Sequence, residues 1–240
     1  MDPYFKATVM AKTPEPQRLV WRAMHQDYSE DFVSDEVAPS EQQAGLIAVK
    51  RLLAGNRGHF GCLEHPAISF NLGWFPHSVM QQARTHRISV SFDVQSGRYT
   101  AQRIIDVVTG KRNIHEVFYL RPVGTYHDRQ GKTYEYTEEQ RKIDEIICID
   151  SAGRFKLALD KGFAEEHARD ILNAYALRQH FVMSCNLRSV LHFMDLRAKR
   201  DAQLEIQQMC ELMWKHVEEW VPEIAEWYTA NRMFKARLAP

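Results

Sequence analysis

The sequence carries no excess of charge. Lysine and arginine together number 31, aspartate and glutamate also number 31, and the formal net charge is zero. Bulk attraction to a phosphate backbone or an anionic lipid surface needs a basic surplus, which argues against nucleic acid and membrane as partners. A helical module for nucleic acid is further disfavoured because clustered exposed aromatics are lacking. Cysteine is scarce: Cys62, Cys148, Cys185 and Cys210 are widely separated and form no Cys-x-x-Cys pair. Apolar neighbours mark these thiols as core filling rather than nucleophiles, and the pattern points to a reduced chain without structural disulfides. The 11 histidines include no His-Glu-x-x-His or Cys/His ligand spacing, so no metal is expected. Gly-x-Gly-x-x-Gly, Walker-type and Gly-x-Ser-x-Gly patterns are missing, which removes two kinds of nucleotide site and the serine-hydrolase elbow. There is no run of about eighteen apolar residues, and the opening Met-Asp-Pro-Tyr-Phe-Lys lacks the order of a signal peptide. The expectation is a cytoplasmic protein.

What is present is ordinary globular material. The 240 residues are 45% hydrophobic and 26% charged, enough for a substantial core. No linker, repeat or low-complexity tract interrupts them, so 1–240 reads as a single domain. Residues 14–29 and 40–55 have helical character. In the second, Ser40 offers an N-cap, and Leu46, Val49, Leu52 and Leu53 make an apolar face before Gly55. Residues 67–72 alternate with period two and predict a strand. Pro76 then opens a helix that turns Val79 and Met80 inward and brings Gln82, Arg84 and His86 to its C-terminal end. Residues 112–121 read as a second strand and 123–136 as a polar surface loop. Thr137 caps a long helix with Glu138 and Glu139 in its first turn, running through Ile143, Ile146 and Ile147 to near Gly162. Helical segments follow at 163–182, at 186–199 and from near Asp201, the last bearing Leu204, Met209, Leu212, Met213 and Val217. A final helix starts at Pro222 and bears Ile224 and Trp227. The fold class predicted is α+β, a small twisted antiparallel sheet flanked by long helices with a helical C-terminal half.

Two segments carry the chemistry. Arg84, His86 and Arg87 lie just upstream of Ser96-Gly97-Arg98. Three guanidinium groups cannot be buried together without anions, so the cluster is either solvated or built around a ligand. Guanidinium forks match phosphate oxygens, and small residues allow backbone N–H groups to approach the same oxygens. Asn186, Arg188, His192 and Arg197 interrupt a strongly apolar run containing Val190, Leu191, Phe193 and Met194. Such polar groups either face water on an amphipathic helix or face a polar cavity. Arg169, in Glu-Glu-His-Ala-Arg-Asp, reads on its own as part of a solvated helix face.

Together these pieces resemble the flavin-dependent thymidylate synthases. That family's signature is Arg-His-Arg, seven residues, then Ser, usually continued as Ser-x-Arg-Tyr. Here Ser96-Gly97-Arg98-Tyr99, Asn186-Leu187-Arg188-Ser189, Leu196-Arg197 and Ala202-Gln203-Leu204-Glu205-Ile206-Gln207 match its ordered motifs, and Gly58-His59 and Glu64-His65 match its upstream segment. The departures are local. The signature reads Arg84-Thr85-His86-Arg87, with eight residues before Ser96, so either Arg84 or Thr85 occupies the first position. Val94 stands where an acidic residue is usual, followed by Gln95, and His192 and Asp201 stand where Asn and His are frequent.

The resemblance implies reductive methylation of dUMP to dTMP, with methylenetetrahydrofolate as carbon donor, NADPH as reductant, bound FAD, and no cysteine nucleophile. By the same carry-over dUMP is held by Gln82, Arg84, Gln95, Ser96, Gly97, Arg98, Arg169 and Arg197. Arg197 activates the pyrimidine by stabilising negative charge on its ring. FAD contacts fall to His59, Arg84, His86, Arg87, Gln95, Asn186, Arg188 and His192. A homotetramer with shared active sites is implied as well. The altered signature leaves a second reading open, a non-catalytic flavin- or nucleotide-binding protein on the same fold.

Overall fold

The computed structural model describes residues 1–54, 58–128 and 130–235. In chain order its first elements are β1 (Lys6–Lys12), α1 (Pro16–His25), α2 (Glu41–Ala48), β2 (Ala67–Pro76), α3 (His77–Ala83), β3 (Val90–Val94), α4 (Gln102–Val108) and α5 (Ile114–Val117). There follow β4 (Gly124–His127), β5 (Thr133–Tyr136), α6 (Glu138–Asp160), α7 (Glu165–Ala168), β6 (Arg178–Asn186), α8 (Leu187–Arg197), α9 (Leu204–Trp220) and α10 (Pro222–Asn231). A four-stranded sheet has the order β1-β2-β6-β3, and β4 pairs with β5 as an antiparallel hairpin. Small sheets beside helices, with α8–α10 filling the C-terminal part, make the class α+β, as the sequence predicts.

Several local expectations are corrected. Residues 112–121 form the short helix α5 and then an extended piece bridged at Phe118 to Leu177, not a strand of the sheet. The stretch 123–136 is the β4–β5 hairpin. Asp128 Oδ1 accepts from the Gln130 and Lys132 amides at 2.8 and 2.9 Å, and Gly131 takes φ 81° to turn the chain. Residues 163–182 are not one helix: α7 is four residues long, 3₁₀ turns follow, and β6 begins at Arg178. Strands β1 and β3 and helix α4 had no counterpart in the sequence reading. The end expected at Gly55 lies outside the described residues; before it, Val49–Leu53 form a π-helical turn with Leu52 and Leu53 buried but Leu46 exposed.

The chain divides into two compact units. The first comprises Met1–Lys6, Leu72–Thr85 and Asp93–Phe181; the second comprises Ala7–Asn71, His86–Phe92 and Val182–Pro240. In the first unit α4 packs on α6, and Ile104, Val117, Phe118, Cys148, Ala152 and Phe155 form a continuous buried core. Each fully buried Ile, Val or Phe side chain among them contributes about 1.5–3 kcal/mol. Helix α6 starts in a capping box: Gln140 N donates to Thr137 Oγ1 at 3.3 Å, and Thr137 N donates to Gln140 Oε1 at 2.9 Å. Arg178 is buried, donates to both carboxylate oxygens of Asp2 at 3.0 and 2.7 Å, and lies over the rings of Tyr4 and Tyr119. In the second unit α1 packs on α2, α2 on α10, and α9 on both α8 and α10. Glu41 accepts from the Gln17 and Arg18 amides at 2.6 and 2.9 Å, placing a carboxylate at the positive end of α1. No described helix is long and apolar enough to cross a membrane.

Candidate active site

Helix α8 delivers the second motif. Buried Asn186 is its N-cap, its Oδ1 accepting from Ser189 N at 2.8 Å. Val190, Leu191, Phe193 and Met194 turn into the core, which leaves His192 and Arg197 half-buried at the helix margin. Phe193 and Arg197 are four residues apart and so share one face. Both meet His86: the Phe193 ring centroid lies 4.7 Å from the imidazole, and Arg197 Nε donates to His86 Nε2 at 3.0 Å. His192 completes the group with an edge-on ring contact to His86 at 5.4 Å. The loop bearing His86 is tied to the same helix, because Ser189 Oγ donates to Ile88 O at 2.7 Å. At the far end, buried Asp195 accepts from Tyr228 OH and from Arg232 Nη2, the latter at 2.6 Å, fixing α8 to α10.

Electrostatics set the protonation of this group. Burial first, then the Arg197 and His192 charges, push the His86 imidazole down to about 4. It is therefore neutral near pH 7. Because Nε2 accepts from Arg197, its single proton sits on Nδ1. Desolvation lowers Arg197 from the ordinary arginine value as well. The contact orients the guanidinium without neutralising it.

Other expected residues of the second unit stand elsewhere. Arg188 donates to Glu64 Oε1 at 2.5 Å, which joins two of the sequence motifs. His59 is exposed, with Asp27 Oδ2 3.6 Å from its Nδ1. Arg87 is exposed.

In the first unit the Ser96-Gly97-Arg98 turn is fastened at its entrance. Gln95 N donates to His180 O at 3.0 Å, and Gln179 Nε2 donates to Gln95 O at 3.3 Å. His77 Nδ1 in turn contacts the Gln179 amide oxygen. The turn closes on the Ser96 carbonyl, which accepts from Tyr99 N at 3.2 Å and Thr100 Oγ1 at 3.0 Å. Arg98 is exposed and stacks over Tyr99 at 5.6 Å. Gly97 has open space where a Cβ would stand. The Gln95 side-chain oxygen is enclosed with no hydrogen-bond partner among the described residues. Gln82 is half-buried near the end of α3, Arg84 is exposed, and the Thr85 hydroxyl donates to Gln82 O at 2.8 Å. Arg169 is exposed on a 3₁₀ turn rather than on a long helix.

Sequence reasoning gave no role to Gln179 or Arg103, and took Phe193 only as apolar and Ser189 only as part of a motif. Arg103 is buried, lowered to about 10 by desolvation, and donates to Arg178 O at 2.6 Å. Only the i, i+4 spacing of Phe193 and Arg197 offered a signal. All four cysteines are buried; burial raises Cys62, and takes Cys148 up to about 11 and Cys185 up to about 12. No cluster of three or more metal-type side chains occurs among the described residues.

Against known proteins, the model of the family described as thymidylate synthase complementing protein matches residues 8–223. A flavin-dependent thymidylate synthase of Haloarcula marismortui is 31% identical over 247 aligned positions, covering 97% of this chain and 98% of the relative. The chain belongs to the flavin-dependent thymidylate synthase family. A second member, from Halobacterium salinarum, is 30% identical and covers 98% of this chain and all of its own. Among solved structures, a UMP/dUMP methylase PolB from Streptomyces cacaoi bound with 5-Br dUMP superposes with a TM-score of 0.72. It is 23% identical over 98% of this chain and 97% of its own, a likeness of fold. Within the second unit of this flavin-dependent thymidylate synthase family member, His86 and Arg197 are in direct contact.

Proposed function

We propose that this chain methylates dUMP to dTMP, taking the one-carbon unit from methylenetetrahydrofolate and reducing equivalents from NADPH through bound FAD. The observation that carries the reading is the half-buried Arg197 guanidinium held by a neutral His86 imidazole on two family motifs. A cation fixed in a partly desolvated position stabilises charge that develops on a bound ring far better than one free in water. Arg197 lies against the uracil, where it stabilises negative charge at N3 and O4 and so raises electron density at the carbon to be methylated.

The residues present suit both ligands. Ser96, Gly97 and Arg98 bind the nucleotide phosphate, with a hydroxyl and a guanidinium fork as donors. Gln82, Arg84 and Arg169 extend that grip. Arg84 fills the first signature position, in keeping with a Thr85 hydroxyl already engaged by backbone. The enclosed, unpartnered Gln95 oxygen is an acceptor that a ligand N–H would satisfy. His59, Arg84, His86, Arg87, Gln95, Asn186, Arg188 and His192 contact the flavin, the arginines offering charge to its phosphates. FAD, when bound, supplies the redox chemistry. The protein's part is to orient the pyrimidine, hold charge at Arg197 and exclude water. The buried, protonated cysteines leave no activated thiol in the scheme. The whole chain acts as one catalytic domain in the cytoplasm, assembled as a homotetramer whose active sites are shared.

Purified protein tests this directly. The expected result is a yellow, FAD-bearing protein that forms dTMP only when dUMP, NADPH and methylenetetrahydrofolate are all supplied. A protein that binds FAD and dUMP yet forms no dTMP under any combination would instead be the non-catalytic binding protein that the altered signature leaves open.

A further inference from the structure

The Ser96-Gly97-Arg98 turn belongs to a short closed loop. Strand β3 ends at Val94. Beyond it, the edge of β6 is served by two bonds, Gln95 N to His180 O at 3.0 Å and Arg103 Nη1 to Arg178 O at 2.6 Å. Carbonyls two residues apart on a strand point the same way and stand about 7 Å apart. Residues 96–102 therefore leave and rejoin one strand edge at neighbouring points, which is the closure of an Ω-loop. Gln95 makes the entrance bond with its backbone, as a strand residue would. The exit bond is made by a side chain. Helix α4 begins there, with Ile104 N donating to Ala101 O at 2.9 Å and the Ile104 side chain buried in the core.

Arginine is a costly choice for that bond. A neutral donor would close the loop equally well, whereas a buried cation has to be paired. Arg103 is not paired: its Nε and Nη2 are enclosed and have no hydrogen-bond partner among the described residues. Arg178 beside it is also buried, but donates to both carboxylate oxygens of Asp2, so that acid is already engaged. The titratable groups that interact electrostatically with Arg103, namely Arg112 and His180, are basic themselves. Burial and Arg112 push Arg103 down to about 10, which still leaves it charged near pH 7. Positive charge thus stands at the base of the loop with no acid to neutralise it. A buried polar group left open in this way calls for a partner from outside the chain.

We propose that Arg103 is a positioning residue for the nucleotide: it pins the exit of the loop to β6, and the phosphate carried on the turn completes its charge. The attraction acts through the loop, across partly desolvated protein that screens it less than water does. It favours a phosphate monoester over the uncharged nucleoside. The inference rests on the reading that this turn holds the phosphate, and it adds a residue on α4 that lies outside the motifs.

The test compares wild type with Arg103→Lys, Arg103→Gln and Arg103→Met at equal flavin content. Lysine keeps the charge, glutamine keeps a neutral donor, and methionine keeps only an apolar chain. Calorimetry with dUMP and with deoxyuridine separates charge from shape. The glutamine and methionine variants are each expected to bind dUMP at least about tenfold more weakly, while lysine stays within about threefold of wild type. All of them should bind deoxyuridine alike. In turnover the loss should appear as a raised KM for dUMP with kcat unchanged. A glutamine variant that binds dUMP like wild type, or a lysine variant as weak as glutamine, overturns the inference. So does an equal loss for deoxyuridine, which a merely structural bond would produce. Should the methionine variant not fold, the comparison of lysine with glutamine decides alone. Ser96→Ala combined with Arg98→Ala separates the two claims. Unchanged dUMP affinity there removes the turn from phosphate binding; a loss there with none in Arg103→Gln keeps the turn and removes only Arg103.

Discussion

His86 owes its neutral state to burial and to the guanidinium beside it, and that state has a measurable signature. Its folded-state value of about 4 lies below the ordinary histidine value of 6.5. As pH falls between these limits the unfolded chain takes up a proton that the folded chain refuses, so folding stability declines with falling pH. The contribution is complete above about pH 6.5 and is lost progressively towards pH 4, roughly 3 kcal/mol at its full extent. Replacing His86 with Gln should flatten the pH dependence of thermal stability in that window relative to wild type. Parallel curves for the two proteins would show that His86 titrates normally. The proposed phosphate contacts at Ser96 and Arg98 make a different demand. Ser96→Ala combined with Arg98→Ala removes one hydroxyl and one charge-assisted contact, and should weaken dUMP binding about a hundredfold by calorimetry. An unchanged dissociation constant would place the phosphate elsewhere. At this scale the motif residues were legible because their types are chemically unusual, and Arg197 and Asn186 stood out against apolar neighbours. The contact of His86 with Phe193 and Arg197 was not legible. It joins positions 86, 193 and 197, and no local pattern encodes a separation of that length.

Helix α8 depends on a single side chain for its start. Asn186→Ala removes the acceptor for Ser189 N and should cost about 1–2 kcal/mol in denaturant unfolding. Asn186→Asp keeps an acceptor and should recover most of that stability. If the aspartate variant is stable but binds FAD poorly, the amide nitrogen contacts the cofactor. If it is stable and binds FAD normally, Asn186 serves the helix alone. Elements with strong local signals were readable: the Ser40 and Thr137 caps, the strand at 67–72 and the restart at Pro222 all stand as expected. Strand β6 was not. Its sequence follows the helix-forming run Glu165–Ala168 without a glycine or proline to mark the change, and its extended form comes from its neighbours β2 and β3 in the sheet. The hairpin at 124–136 looked like a loop because both of its strands are short and largely exposed, so the apolar alternation that betrays a strand is weak. Helix α6 was legible, but Ile143, Ile146 and Ile147 are exposed, and burial assigns the inward side to Cys148, Ala152 and Phe155.

At the scale of the whole chain, the fold is shared with a solved methylase despite low identity. A TM-score of 0.72 at 23% identity to PolB means that the architecture persists while most side chains differ. The proposed reaction depends on the pairing of charge with its support at Arg197. The neutral overall charge agrees with a small anionic ligand gathered by local arginines rather than by the field of the entire molecule. The most direct measurement is tritium release from C5-labelled dUMP, with NADPH and methylenetetrahydrofolate present, by wild type and Arg197→Ala at equal flavin content. The account predicts steady release by wild type and a loss of at least about a hundredfold in the variant, with FAD still bound. Release by the variant at the wild-type rate would contradict it.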